Sequence, residues 1–218
     1  MSVPDGLMVN LWESLKKGEI VLIERADSGD QYFGLHQLVS WGKGRGYSVM
    51  VVDVLDSLHL LRAKARLAGL DDSVFDDIPV IKIGGSIEAG KVIGWIKDPS
   101  EPAILSRKFK EAYEEFLESN SPVLTVTVGL EKLFVAAEFS SKNVQAIIGS
   151  ISRYVGDERR LAVILLKARV IDPSRQAVVR LLEDIATTVI AVSRRDKITE
   201  FHVIKSVNHR LEGMTIRI

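Results

Sequence analysis

The chain has 218 residues, 46% hydrophobic and 27% charged, with 29 basic residues balanced by 29 acidic ones and no cysteine. That length suits one domain, residues 1–218, with a sizeable core. Zero net charge gives no support for a nucleic-acid partner, and the lack of cysteine excludes disulfides, thiolate nucleophiles and cysteine metal sites. The longest apolar runs, such as residues 161–166, fall far short of the roughly 20 needed to cross a bilayer. Residues 1–10 lack the basic and apolar stretches of a secretory signal, so a cytoplasmic location without membrane contact is expected. His36, His59, His202 and His209 stand apart from one another, and neither a metal nor another cofactor is expected.

Pro4-Asp5-Gly6 reads as a turn, and residues 8–17 as a short amphipathic helix stopped by Gly18. Residues 19–23 form a compact apolar run, read as a buried strand, and a polar loop follows from Glu24 to Asp30. Tyr32, Leu35, Leu38 and Val39 share one face of the next helix, which Gly44 and Gly46 end. Residues 48–54 are a second buried strand. Leu58, Leu61, Ala65 and Leu67 mark a helix stopped by Gly69. Strand and helix alternating in this way predict a parallel sheet covered on both faces. Residues 78–83 and 91–96 flank Gly84-Gly85 and read as a hairpin. Leu105, Phe109, Ala112, Tyr113 and Phe116 define a further helix, and residues 123–128 another strand. Val144, Ile147, Ile148, Ile151 and Val155 give a helix ended by Gly156, residues 161–166 a strand, and Ala177, Val178, Leu181, Leu182 and Ile185 the last helix. The tail then alternates strand-like segments (188–192, 200–207, 214–218) with charged turns, as an antiparallel meander on one sheet edge would.

Three stretches in this order carry a family likeness. Gly18-Glu19-Ile20-Val21-Leu22-Ile23 precedes the polar loop, Leu60-Leu61-Arg62 leads up to Gly69, and Ile185-Ala186-Thr187-Thr188-Val189-Ile190 opens the meander. Over nearly its whole length the chain resembles RecA-like P-loop ATPases, most closely the KaiC-like branch. It looks like a member of an uncharacterised archaeal family derived from that branch. The resemblance implies a RecA-like α/β fold with a mostly parallel central sheet flanked by helices.

In such ATPases the loop after the first strand reads G-x-x-x-x-G-K-[ST]. Backbone N–H groups cradle the phosphates, the lysine neutralises them and the hydroxyl anchors Mg²⁺. Laid on that motif, Glu24 takes the place of the first glycine. Arg25, Ala26, Asp27 and Ser28 fill the variable positions, Gly29 keeps the second glycine, Asp30 replaces the lysine and Gln31 the Ser/Thr. An acid in place of the ammonium changes two units of charge beside a triphosphate, each unit pair worth about 4 kcal/mol at ~4 Å and an effective dielectric near 20. The metal-binding Asp that the family places at a later strand end is also missing from Val126-Thr127-Val128-Gly129; Glu131 and Glu138 lie near in sequence but out of register. Asp53, and less well Asp56, matches the family's catalytic carboxylate, yet a strand-end Asp more often caps a helix. Of the Lys-x-Arg that reaches a neighbour's nucleotide, Lys205 remains, with His209 and Arg210 just beyond as candidate interface residues.

The expectation is therefore a non-catalytic RecA/KaiC-like protein, a pseudo-ATPase without a bound cofactor, acting as a regulatory or assembly module through a homo-oligomer or a protein partner. Two other readings compete. The carboxylates of Glu24, Asp27 and Asp30, with Ser28, lie at a strand's C-terminal end, where open α/β sheets bind ligands, so a nucleotide or metabolite binder or enzyme with relocated site residues is the first. A nucleic-acid-associated relative is the second. Its densest basic points are Arg107-Lys108 and Arg194-Arg195-Asp196-Lys197, which read more simply as solvated turns. Trp12, Trp41 and Trp95 are expected as core or interface anchors, and His36 as a packed histidine.

Overall fold

The computed structural model describes residues 5–27, 29–136, 140–196 and 198–218. Pro4, Ser28, Glu138 and Lys197 lie outside the described residues. The strands are β1 (Ile20–Arg25), β2 (Ser48–Val54), β3 (Pro79–Ile83), β4 (Lys91–Ile96), β5 (Val123–Val128), β6 (Arg160–Leu166), β7 (Thr188–Arg195), β8 (Ile198–Ser206) and β9 (Thr215–Arg217). They form one sheet in the order β4-β3-β2-β5-β6-β1-β7-β8-β9. From β4 to β7 every neighbouring pair is parallel, and β8 and β9 are added antiparallel. The central strands are near-continuous runs of Val, Ile and Leu, and β6 is buried at every position. That is the pattern of strands covered on both faces.

Alternation along each strand divides the core in two. Val21, Val51, Val126 and Val163 face one side, where α1 (Asp5–Glu13), α2 (Tyr32–Gly44) and α3 (Ser57–Leu67) bring Leu11, Leu35, Leu38 and Leu58. Leu22, Val52 and Ile164 face the other side. There α4 (Pro102–Asn120), α5 (Leu130–Val135), α6 (Ser141–Ser152) and α7 (Ala177–Ile185) bring Leu105, Phe134, Ile147 and Leu182.

Several sequence expectations need correction. The segments 78–83 and 91–96 are not a hairpin: β3 and β4 are parallel, with Pro79 opposite Lys91 and Ile83 opposite Ile96. The connecting segment runs back along β3 until the Lys91 amide donates to the Ile78 carbonyl at 2.8 Å. About seven extended residues reach roughly 23 Å, enough to return along so short a strand. Glu24 and Arg25 belong to β1 rather than to the loop, because both pair with β7 and Glu24 also pairs with β6. The first helix ends at Glu13, not at Gly18. The helical stretch α5 went unforeseen, and Leu67, Val155 and Leu181, assigned to helix faces, are exposed. The β7–β8–β9 meander forms as expected.

The crossover from β1 passes through α2 on one face, while the chain leaving β6 reaches α7 on the other. Between β1 and β6, which are adjacent, the two connections diverge and open a crevice beyond the strands' C-terminal ends. Ligands of open α/β sheets bind at such switch points.

Candidate functional site

The loop from β1 to α2 sits in this crevice, and its own side chains occupy it. Asp27 accepts from Arg25 Nε at 2.5 Å, from Arg25 Nη2 at 3.3 Å and from the Gly29 amide at 2.8 Å. The Gly29 amide of the loop is thus already held by a carboxylate. Arg25 lies so close over Gly29 that a Cβ there would stand 2.1 Å from Nη2, so a larger residue would push the guanidinium aside. Burial would raise the Asp27 pKa, but the hydrogen bonds from Arg25 and Gly29 outweigh it and hold the group below its ordinary value.

Asp30, in the lysine's place, is itself held by lysines. Its Oδ1 accepts from Lys64 of α3 at 2.8 Å and from Lys167, the residue after β6, at 3.2 Å. Burial opposes ionisation here too, and the two lysines reverse that, leaving the pKa lowered. Gln31, in the place of the Ser/Thr, is buried, and its side-chain nitrogen has no hydrogen-bond acceptor. Behind Asp30 lies a small cavity of about 60 Å³, also lined by Ser57, Glu131 and Lys132. That is far below the ~300–1,000 Å³ of ordinary ligand pockets.

The end of β5 carries no carboxylate, as its sequence says, but Glu131 from the first turn of α5 turns a buried one into the cavity. Burial raises its pKa, and Oε2 has no partner. Lys132 donates to the Leu55 carbonyl at 2.8 Å, and burial pulls its pKa down. Gly129 brings α5 this close to α3. It has φ +78, and a Cβ on it would fall 1.9 Å from Ser57 Oγ.

Asp53 caps α3: Oδ1 accepts the Leu58 amide at 2.8 Å, and Oδ2 faces Lys82 Nζ at 3.2 Å, both side chains fully buried. Lys82 also binds Asp56, whose carboxylate takes the amides of Ser86 and Ile87. Burial works against ionisation of Asp56, yet Lys82 and these amides bring it down to about 2. Asp53 has both oxygens engaged and no solvent contact, so it meets no water to act on.

The remaining sequence candidates are scattered. Glu24 shares the face of Ile20 and Leu22, away from Asp27 and Asp30, and meets α7. Burial first, then the Glu183 carboxylate, push its pKa up to about 7. Lys205 donates to the carbonyls of Glu183 and Asp184 at 3.0 and 3.1 Å, at the C-terminus of α7 and the opposite end of the sheet from the loop. His209 and Arg210 are exposed. Arg194 and Arg195 end β7, with Asp196 turning at φ 55. Trp12 is in the core, and His36 packs edge-on against Phe75. Lys64, Lys132 and Lys167 were not anticipated, for they come from three separate elements and share no motif spacing.

Against known proteins, a sequence model described as "Pyrococcus protein of unknown function, DUF257" matches residues 10–217. No curated protein matches the chain. A protein of solved structure from Pyrococcus horikoshii OT3 superposes with a TM-score of 0.81 at 22% identity, covering 95% of this chain and 96% of that one. A KaiC-like protein from the same hyperthermophilic archaeon gives 0.59 at 13% identity, covering 92% and 85%. The flagellar accessory protein FlaH from Methanocaldococcus jannaschii gives 0.53 at 13% identity, covering 99% and 92%. The fold is that of RecA/KaiC-like archaeal proteins, as the order of elements in the sequence implied. Among the described residues, no helix is long and apolar enough to cross a membrane.

Proposed function

The chain belongs to the Pyrococcus family of proteins of unknown function, DUF257, and we propose that it is a cytoplasmic, non-catalytic RecA/KaiC-like module that acts by binding or assembly rather than by hydrolysing ATP. One observation carries the reading: the anion positions of the ancestral site are taken by the protein's own carboxylates. Asp27 holds the loop amide and Asp30 holds Lys64 and Lys167. An incoming triphosphate must displace both, against the charge of Asp30 itself. Two further observations agree. Gln31 cannot supply the metal-binding hydroxyl, and Asp53 is locked by Lys82 and the α3 amide. The exposed His209 and Arg210 leave a polar surface on the meander for a second copy or a protein partner. The test is phosphate release from Mg²⁺-ATP by the purified protein. A rate equal to that of a Glu131→Gln variant is expected, and turnover that this substitution abolishes would overturn the reading.

A second reading has its own support. Lys64, Lys132 and Lys167 converge on one cavity with the uncommitted Gln31 and Glu131 groups, as a relocated anion site would. It predicts that inorganic phosphate stabilises the wild-type protein, whereas the self-occupied site predicts stabilisation only once Asp30 is removed.

A further inference from the structure

A second cavity lies on the other side of Asp30 and Gln31, between α1, α2 and the ends of β7, β8 and β9. Its volume is about 390 Å³, within the range of small-molecule sites. Trp12, Ile23, Phe33, Val192 and Phe201 make it largely apolar. One charged group at its rim is uncommitted, and it donates. Arg194 stands two residues beyond Val192 on the same face of β7, so its guanidinium reaches the rim; among the described residues it has no ion-pair partner. The other charged residues of the lining, Arg25 and Asp30, are held by Asp27 and by Lys64 and Lys167. The net free charge at the mouth is therefore positive, while the body of the cavity favours a hydrocarbon or ring.

We infer that this cavity binds a small amphipathic monocarboxylate, its apolar part against Trp12, Phe33 and Phe201 and its carboxylate at the Arg194 guanidinium. A charge-assisted bond to arginine fixes the head, and burial of the tail supplies the attraction. The site goes beyond the pseudo-ATPase reading and does not depend on it, since Arg194 and the apolar wall lie outside the motif and no metal is involved.

Calorimetry and thermal shift with submicellar decanoate, decanol, acetate and adenosine test it on the full chain. Decanoate should bind one to one and raise the melting temperature. Decanol should bind at least about tenfold more weakly, because it lacks the charge that arginine recognises, and acetate should not bind. Arg194→Ala, a surface change, should weaken decanoate about tenfold and leave decanol unchanged. Equal binding of decanoate and decanol, no binding of either, or preference for adenosine would overturn the proposal. So would decanoate binding that Arg194→Ala leaves untouched.

Discussion

Replacing Asp30 by alanine removes the anion that holds Lys64 and Lys167 together, and the consequences can be worked out from the geometry. The Asp30 Oδ1 lies 2.8 and 3.2 Å from the two ammonium groups, with the carboxylate side chain 30% exposed. At an effective dielectric near 20 each pair would be worth about 4 kcal/mol gross. Solvent and the entropy of two long side chains reduce pairs of this kind to about 0.2–1 kcal/mol net. Asp30→Ala, which removes two such pairs, should therefore cost about 0.4–2 kcal/mol in low-salt denaturant titrations. The loss should shrink in about 1 M salt, where screening falls to ~3 Å. Inorganic phosphate should then restore stability in the variant, by roughly 1.4 kcal/mol at ten times its Kd. In the wild type the pKa of Asp30 is lowered, so its contribution is present above the ordinary 3.8 and is lost as pH falls through the folded value. A variant as stable as wild type, or phosphate stabilising both proteins alike, would refute the assignment of Asp30 as a built-in anion.

Other substitutions probe the surrounding structure. The Glu24 pKa is raised from 4.5 to about 7, so its stabilising effect is complete below 4.5 and is lost as pH rises towards 7. Glu24→Gln should thus gain on the order of 1–2 kcal/mol over wild type at about pH 8 and nothing near pH 4.5; parallel melting curves against pH would contradict this. Lys82→Ala leaves Asp53 buried without its cation and should cost about 3–5 kcal/mol by urea denaturation; a loss below about 1 kcal/mol would show that water reaches the pair. Gly129→Ala forces a Cβ into Ser57 at a positive φ and should cost about 2–3 kcal/mol, which Ser57→Gly should partly recover if the contact is the cause.

The sequence made the layered fold legible because β1, β2, β5 and β6 are compact apolar runs, and between them Leu35-Leu38-Val39 and Leu58-Leu61-Ala65 repeat at helical spacing. It misread β3 and β4 because Gly84-Gly85 marks a turn without fixing where the chain goes next; direction depends on the length of the return and on the Lys91–Ile78 hydrogen bond. At the site, the exchange of lysine for Asp30 and of Ser/Thr for Gln31 was plain from the loop alone. What fills the loop was not. Arg25 reads as a variable position until its side chain folds back over Gly29, and Lys64 and Lys167 stand 34 and 137 residues from Asp30. Glu24 looked like a loop carboxylate, yet strand alternation turns it to the opposite face. Long-range charge pairing has no local periodicity, so only the fold could bring these groups together.

The most direct test of a self-occupied nucleotide site is calorimetric titration of the wild-type protein with Mg²⁺-ATP. No saturable heat is expected into the millimolar range, with weak binding appearing in Asp30→Ala. A one-to-one micromolar isotherm on the unaltered chain, lost on Lys64→Ala, would contradict it.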